Sequence, residues 1–354
     1  RYARCPAVGQ GQDQLMKTPD DIASGSPELV YSAEIDDAIS RAGDASGFVY
    51  RDSHGKRIAD PDVLARIAAL AIPPAYTEVA ISTNPHAHLQ ATGRDARGRK
   101  QYRYHPLWSQ QRGEAKFAML PAFAQALPKI RAKVDSDLRR RKPDLQNALA
   151  TVVWLLDNLY IRVGNETYSQ TNGSYGVTTL RNRHVKFAGS EVKFRFKGKS
   201  GKEWDLSHRD RRIARAIRRL QELPGQMLFQ YLDAEGNRHP VRSQDVNAYI
   251  RQAGGDSFSS RQFRTWAATH MAAISLAAAE PAATEAALKR QINAAIDDVA
   301  AKLRNTRAVC RASYIHPRVL EDFRQGALSG LPRLRIGRSK RCAAVQAQAH
   351  RRCH

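Results

Sequence analysis

The pattern of apolar residues changes character around Pro106, and this change limits the fold of the chain more than any other feature. From Pro27 to about His105 the pattern is short and mixed. Residues 61–70 read as a helix with Val63, Leu64, Ile67 and Leu70 on one face. Asp60 suits its N-cap, and Pro61 the first helical position, where a missing N–H costs nothing. Pro73 and Pro74 end that helix, and Val79 to Ile81 and Gln101 to Tyr104 read as strands. Beyond Pro106 long helical periods follow, over 116–133, 144–161, 210–223 and 284–303. A chain of 354 residues has room for two domains, each with its own core.

One stretch among the helices has a different period. In Val192-Lys193-Phe194-Arg195-Phe196-Lys197 apolar and basic residues alternate, so one face of a strand packs inward and the other presents cations. Gly198-Lys199-Ser200-Gly201 reads as a tight turn, and Glu203-Trp204-Asp205-Leu206 as the returning strand. Lys199 is therefore expected at the tip of a basic β-hairpin, within an insertion at 177–206.

Charge gives the class of partner. The chain has 57 Lys and Arg against 34 Asp and Glu, a formal net charge of +23. The excess is clustered: from Arg181 to Leu220 there are 14 Lys and Arg against 4 Asp and Glu. Such clustering is the footprint of a polyanion partner, with nucleic acid foremost. A merely solvated basic face is the plainer alternative, and the interleaving of apolar and basic residues argues against it. The apolar run from Met271 to Ala279 falls well short of the roughly 20 residues a membrane span needs. Asp13, Lys17, Asp20 and Asp21 interrupt any secretory signal. Cys5, Cys310, Cys342 and Cys353 are too few for a disulfide framework, which points to a reducing compartment. Residues 1–26 are expected to be a mobile polar arm and 331–354 a basic tail, whose Cys342, His350, Cys353 and His354 match no zinc spacing.

Several short segments then act together. They are Gln90-Ala91-Thr92-Gly93 and the run from Gly98 through Gln101-Tyr102-Arg103-Tyr104-His105-Pro106, followed by Tyr160-Ile161-Arg162-Val163-Gly164-Asn165. Lys197-Gly198-Lys199, Gln262-Phe263-Arg264, and Asn305 through Ser313-Tyr314-Ile315-His316-Pro317 complete the set. Each is weak alone. In this order and spacing, from about Phe48 to Phe323, the chain resembles the type IB DNA topoisomerases of the small, poxvirus-like and bacterial branch. The resemblance implies an α+β protein with a small N-terminal mixed β/α domain at 27–105. A larger, mainly α catalytic domain with inserted β-hairpins would follow at 106–330, the two lobes forming a clamp around duplex DNA.

It also implies the site. Tyr314 matches the nucleophile, which attacks a phosphodiester and leaves a 3′-phosphotyrosyl enzyme. Arg162 and Arg264 match the arginines on the scissile phosphate, where planar guanidinium forks suit the charge on its oxygens. Lys199 matches the general acid for the departing 5′ oxygen. Asn305 matches the fifth position, nine residues before Tyr314, where many relatives carry histidine. An amide can still donate a hydrogen bond there, but neither from a cation nor by titrating. Arg99, Tyr102, Tyr104, Arg112, Tyr168 and Arg261 match positions at the DNA surface, where cations anchor phosphates and rings meet sugar and base edges.

Taken singly, each of the main residues has a plainer reading: a packing tyrosine, an arginine on a helix dipole, a solvated arginine, a turn lysine. The partners implied are double-stranded DNA and no membrane, with the protein acting as a monomer in the bacterial cytoplasm, at the nucleoid. No cofactor or metal is expected, since the phosphotyrosine conserves the phosphoester. The sequence has neither a phosphate-cradling Gly-rich loop nor an acidic cluster near these motifs. A tyrosine recombinase shares such a site but usually has histidine three residues before the second arginine, where this chain has Arg261. An inactive DNA-coating protein would need charge but no nucleophile.

Overall fold

The structure is a computed structural model and describes residues 29–44 and 47–328. The expected arm and tail, with Cys5, Cys342 and Cys353, lie outside the described residues. The chain divides into two compact units between Lys116 and Phe117. That division lies near the far end of a helix that opens at Pro106, where the pattern changes.

In the first unit the strands are β1 (Ile39–Asp44), β2 (Gly47–Arg51), β3 (Thr77–Ile81), β4 (Leu89–Arg94) and β5 (Lys100–Tyr104), with helix α1 (Pro61–Ala69) after β2. They form one antiparallel sheet in the order β2-β1-β3-β4-β5. Asp60 caps α1 as expected, accepting from the Asp62 N–H at 2.9 Å. Ile67 of α1 is buried with Ile39, Val79, Ile81 and Ala91 in a small core. Along β5 the period of two turns Lys100, Tyr102 and Tyr104 outward; the tyrosines are 48% and 43% exposed.

The second unit is mainly helical. The expected single helix at 116–133 is two helices, α2 (Pro106–Ala118), which crosses the division between the units, and α3 (Leu120–Asp137). The break falls at Met119 because Pro121 has no N–H to continue a helical ladder and suits the first turn of a new one. Then come α4 (Leu145–Leu159), α5 (Glu166–Asn172), α6 (Arg211–Gln221), α7 (Ser243–Gly254), α8 (Ser260–Ala277), α9 (Glu285–Leu303), α10 (Arg307–Ser313) and α11 (Pro317–Arg324). Asp144, Asp210 and Thr284 cap α4, α6 and α9 at the expected starts.

The basic insertion is a three-stranded antiparallel sheet of β6 (Val185–Ala188), β7 (Glu191–Lys197) and β8 (Glu203–Arg209), one strand more than a hairpin. Val192, Phe194 and Phe196 are buried, while Lys193, Arg195 and Lys197 are exposed. A short two-stranded ladder, β9 (Gln230–Leu232) with β10 (Arg238–Pro240), completes the elements.

Two hydrophobic cores lie in this unit. One gathers α3, α4, α6, α7 and the inner face of the basic sheet; the other gathers α8 to α11. Helix α8 belongs to both, giving Phe263 to the first and Ala267 to the second. Residues at that seam are fixed from two sides.

Candidate active site

Arg162 leaves α4 through two backbone devices. Tyr160, the C-cap of α4, is left-handed at φ 57°, which turns the chain out of the helix. The following loop then runs against the segment 176–178, the Val177 N–H donating to the Arg162 carbonyl at 2.8 Å and the Thr178 N–H to the Val163 carbonyl at 2.7 Å. The approach is so close that a Cβ on Gly176 would lie 2.5 Å from Gly164 Cα and 2.6 Å from the Arg162 carbonyl oxygen. Gly176→Ala is therefore expected to cost about 3 kcal/mol of stability through overpacking. It should also lower activity by displacing Arg162. Urea unfolding midpoints and the turnover of the site check the two effects, and a wild-type midpoint would contradict the close approach.

Arg264 lies on α8, 5% exposed. Its guanidinium caps two helices at once, donating to the Tyr160 carbonyl at the end of α4 and to the Leu303 carbonyl at the end of α9, the latter at 2.8 Å. Both helices stop there on left-handed non-glycine residues, Tyr160 and Arg304 at φ 52°. Asn305 follows directly, and its Oδ1 accepts from Arg162 Nη2 at 2.9 Å. The amide must face this way, because a guanidinium only donates.

Tyr314 ends α10, whose N-cap Thr306 accepts from the Val309 N–H at 3.3 Å. Its ring lies 5.3 Å from the Arg264 guanidinium carbon, and the charges of Arg162 and Arg264 both act on its hydroxyl. Burial pushes the phenol pKa up, but the two guanidiniums outweigh it, so Tyr314 ionises below an ordinary tyrosine. Burial, followed by the charge of Arg162, draws Arg264 down to about 10, leaving it protonated at neutral pH. Among the described residues Arg264 Nε has no partner in the buried part of the site, and Asn305 Nδ2 faces only the Cys310 sulfur. Cys310, fully buried one turn before Tyr314, faces the same groups; burial raises its thiol pKa despite Arg264, Asn305 and Arg162.

Four of the five expected residues thus come together. Lys199 stands apart, exposed on the turn between β7 and β8, where Ser200 (φ 62°) and Gly201 (φ 75°) reverse the chain. Among the described residues no hydrogen bond or ion pair joins it to the other four. The returning strand of its hairpin is held beside the site, however: Arg304 Nη2 donates to the Asp205 carbonyl of β8 at 3.3 Å.

The chain matches the eukaryotic DNA topoisomerase I catalytic-core family over residues 105–329 and the bacterial DNA topoisomerase IB N-terminal domain family over 47–95. DNA topoisomerase 1B of Acanthamoeba polyphaga mimivirus is 32% identical over 290 residues, 80% of this chain and 86% of that protein. The chain belongs to the type IB DNA topoisomerases. More distant relatives include DNA topoisomerase 1B of Vaccinia virus (strain Copenhagen), 22% identical over 165 residues, 44% of this chain and 52% of that protein. DNA topoisomerase 1 of Rabbit fibroma virus (strain Kasza) is 24% identical over 171 residues, 46% of this chain and 54% of its own.

The outer residues of this topoisomerase are placed differently from one another. Tyr102 and Tyr104 stack with centroids 6.1 Å apart, and Lys100 lies 5.8 Å from the Tyr102 centroid. Arg99 is held by Asp95 at 2.6 Å, and Arg112 lies over the Trp108 ring at 5.6 Å. Arg261 is exposed in the first turn of α8. Tyr168 falls in α5, and its side chain is outside the described residues. Among the described residues no group of His, Cys, Asp and Glu is arranged to hold a metal ion, and no helix is long and apolar enough to cross a membrane.

Proposed function

We propose that this topoisomerase relaxes supercoiled duplex DNA by cutting and resealing one strand, with Tyr314 as the nucleophile. The observation that carries this is the Tyr314 ring set 5.3 Å from the Arg264 guanidinium carbon, beside the Arg162–Asn305 pair; the two guanidiniums favour its ionised form against the effect of burial. Tyr314 Oη attacks the scissile phosphorus and gives up its proton to solvent. A phosphotyrosyl bond forms on the 3′ side, the bond to the 5′ oxygen breaks, and that oxygen keeps the electron pair and takes a proton from Lys199. After the free end rotates, the 5′-hydroxyl returns its proton to Lys199, attacks the phosphorus and expels Tyr314. Phosphoester bonds are conserved, so the cycle needs no ATP.

Arg162 and Arg264 neutralise the charge gathering on the non-bridging oxygens. The unpartnered Arg264 Nε supports the same assignment, since a phosphate oxygen would satisfy a buried N–H group that costs about 1–3 kcal/mol when unpaired. Arg99, Tyr102, Tyr104, Arg112, Tyr168 and Arg261 would hold the duplex outside the site. Arg162, Arg264, Asn305 and Tyr314 meet within a single folded unit, which supports a monomer as the acting unit. The match of 47–95 to the bacterial N-terminal domain supports a bacterial setting, with the nucleoid as the place of action.

Plasmid relaxation in EDTA without ATP tests the function; failure of pure, folded protein to relax DNA would overturn it. Lys199 has its own test. Lys199→Ala should slow cleavage of ordinary DNA by about 10²–10⁴-fold, the usual weight of a general acid. Replacing the 5′ bridging oxygen with sulfur, which leaves without a proton, should restore most of that loss. An unchanged deficit on the sulfur substrate would remove Lys199 from the role.

A further inference from the structure

We propose that Thr269 is a positioning residue for the nucleophile, fixing the backbone of Tyr314 against the helix that carries Arg264. The Thr269 hydroxyl donates to the Tyr314 carbonyl at 3.1 Å and accepts from the His316 N–H at 3.0 Å. One hydroxyl thereby holds the chain on both sides of Ile315, which is fully buried. A helical threonine ordinarily turns its hydroxyl back to the carbonyl four residues earlier. Thr151 does so on α4, donating to the Asn147 carbonyl at 2.8 Å, and Thr171 does so on α5, donating to the Thr167 carbonyl at 2.9 Å. Thr269 instead reaches across to another segment.

The placement sets a distance. Arg264 and Thr269 lie five residues apart on α8, about 7–8 Å along its axis at the helical rise. Arg264 lies 5.3 Å from the Tyr314 ring, and Thr269 binds the carbonyl of the same residue. Helix α8 therefore meets the nucleophile twice, at its ring through Arg264 and at its backbone through Thr269. Around Thr269, the Tyr314 and Ile315 N–H groups both share the Cys310 carbonyl at 3.0 Å. Those bonds fix the turn itself, whereas the Thr269 bonds fix it to α8.

This inference rests on Tyr314 as nucleophile, and its test separates the two. Thr269→Val keeps the shape and removes both hydrogen bonds; Thr269→Ser keeps them. Single-turnover cleavage at saturating DNA should fall about 10- to 100-fold in the valine variant, the scale of a small misplacement of a reacting group. It should stay within about threefold of wild type in the serine variant. Tyrosine is nucleophile in cleavage and leaving group in religation, so religation of isolated adduct should slow by the same factor. The cleavage equilibrium and DNA affinity should not change, and a 5′-sulfur substrate should not restore the rate, in contrast to Lys199→Ala. If the valine variant does not fold, Thr269→Cys, with its weaker donor, takes the same measurements.

Wild-type cleavage by the valine or cysteine variant would overturn the proposal. So would a loss that serine does not recover, a shifted cleavage equilibrium, or rescue by sulfur. Adduct formation by Tyr314→Phe would instead overturn the nucleophile assignment beneath it.

Discussion

Arg264→Ala is expected to lower DNA relaxation by about 10³–10⁵-fold, the range for removing an arginine that stabilises a transferring phosphoryl group. The effect should exceed the loss of one charge, because this guanidinium also orders its neighbours. It donates to the Tyr160 and Leu303 carbonyls, which end the helices leading to Arg162 and Asn305. Without it those carbonyls lose their partner, at about 1–3 kcal/mol for a buried group left unsatisfied. The two left-handed residues there, Tyr160 itself and Arg304 after Leu303, lose the contact that over-determines their conformation. Arg264→Lys should recover little. An ammonium is a compact donor and cannot span two carbonyls as a planar fork does. Relaxation assays under DNA excess and urea unfolding test both effects. Near-wild-type activity in Arg264→Lys would contradict the fork's role.

Tyr314→Phe is expected to be the most severe substitution, with relaxation falling by on the order of 10⁶-fold, the scale on which a covalent nucleophile is lost. The ring, its packing and its approach to Arg264 stay, so the variant should fold. Its DNA affinity should remain within about tenfold of wild type, the weight of one hydrogen bond. The pH dependence follows from the ionisation. A folded-state pKa depressed below the unfolded value contributes stability above the unfolded pKa of about 10, and loses it as pH falls through the folded pKa. Wild type should therefore be stabilised relative to Tyr314→Phe at alkaline pH and lose that advantage toward neutrality. Cleavage by wild type should reach its plateau at lower pH than an ordinary phenol would allow. Urea midpoints and single-turnover rates across the alkaline range check both, and an advantage that grows toward neutral pH would contradict the assigned shift.

The helices of the second unit were legible where a cap met an apolar period. Asp144, Asp210 and Thr284 each accept backbone N–H groups at the start of a predicted helix. The basic strand was legible from its alternation, since burial follows the same period of two. Strand β1, Ile39–Asp44, was not. Its sequence ISRAGD does not alternate, and pairing with β2 and β3 holds it in the sheet. The break between α2 and α3 was missed because one apolar period continues through Met119, although Pro121 was the available signal.

Within the site, side-chain identity and order were readable; the way they are supported was not. Tyr160 and Arg304 end helices in a conformation usually given to glycine, and what secures them is Arg264, distant in sequence. Thr269 is one polar residue in an otherwise ordinary helix, and its partner carbonyl is 45 residues away. No local pattern encodes such a contact. In the sequence Cys310 is likewise only one of four cysteines, and it is the fold that brings it against Arg264, Asn305 and Arg162.

The most direct measurement is the chemical identity of the bond between protein and DNA. Supercoiled plasmid is cleaved by wild-type protein in EDTA, the reaction is stopped with denaturant, and the protein–DNA adduct is digested and sequenced by mass spectrometry. The predicted result is a single modified peptide with a nucleotide 3′-phosphate on Tyr314 and a free 5′-hydroxyl on the other DNA end. A nucleotide on any other side chain, or one joined through its 5′-phosphate, would contradict the assignment.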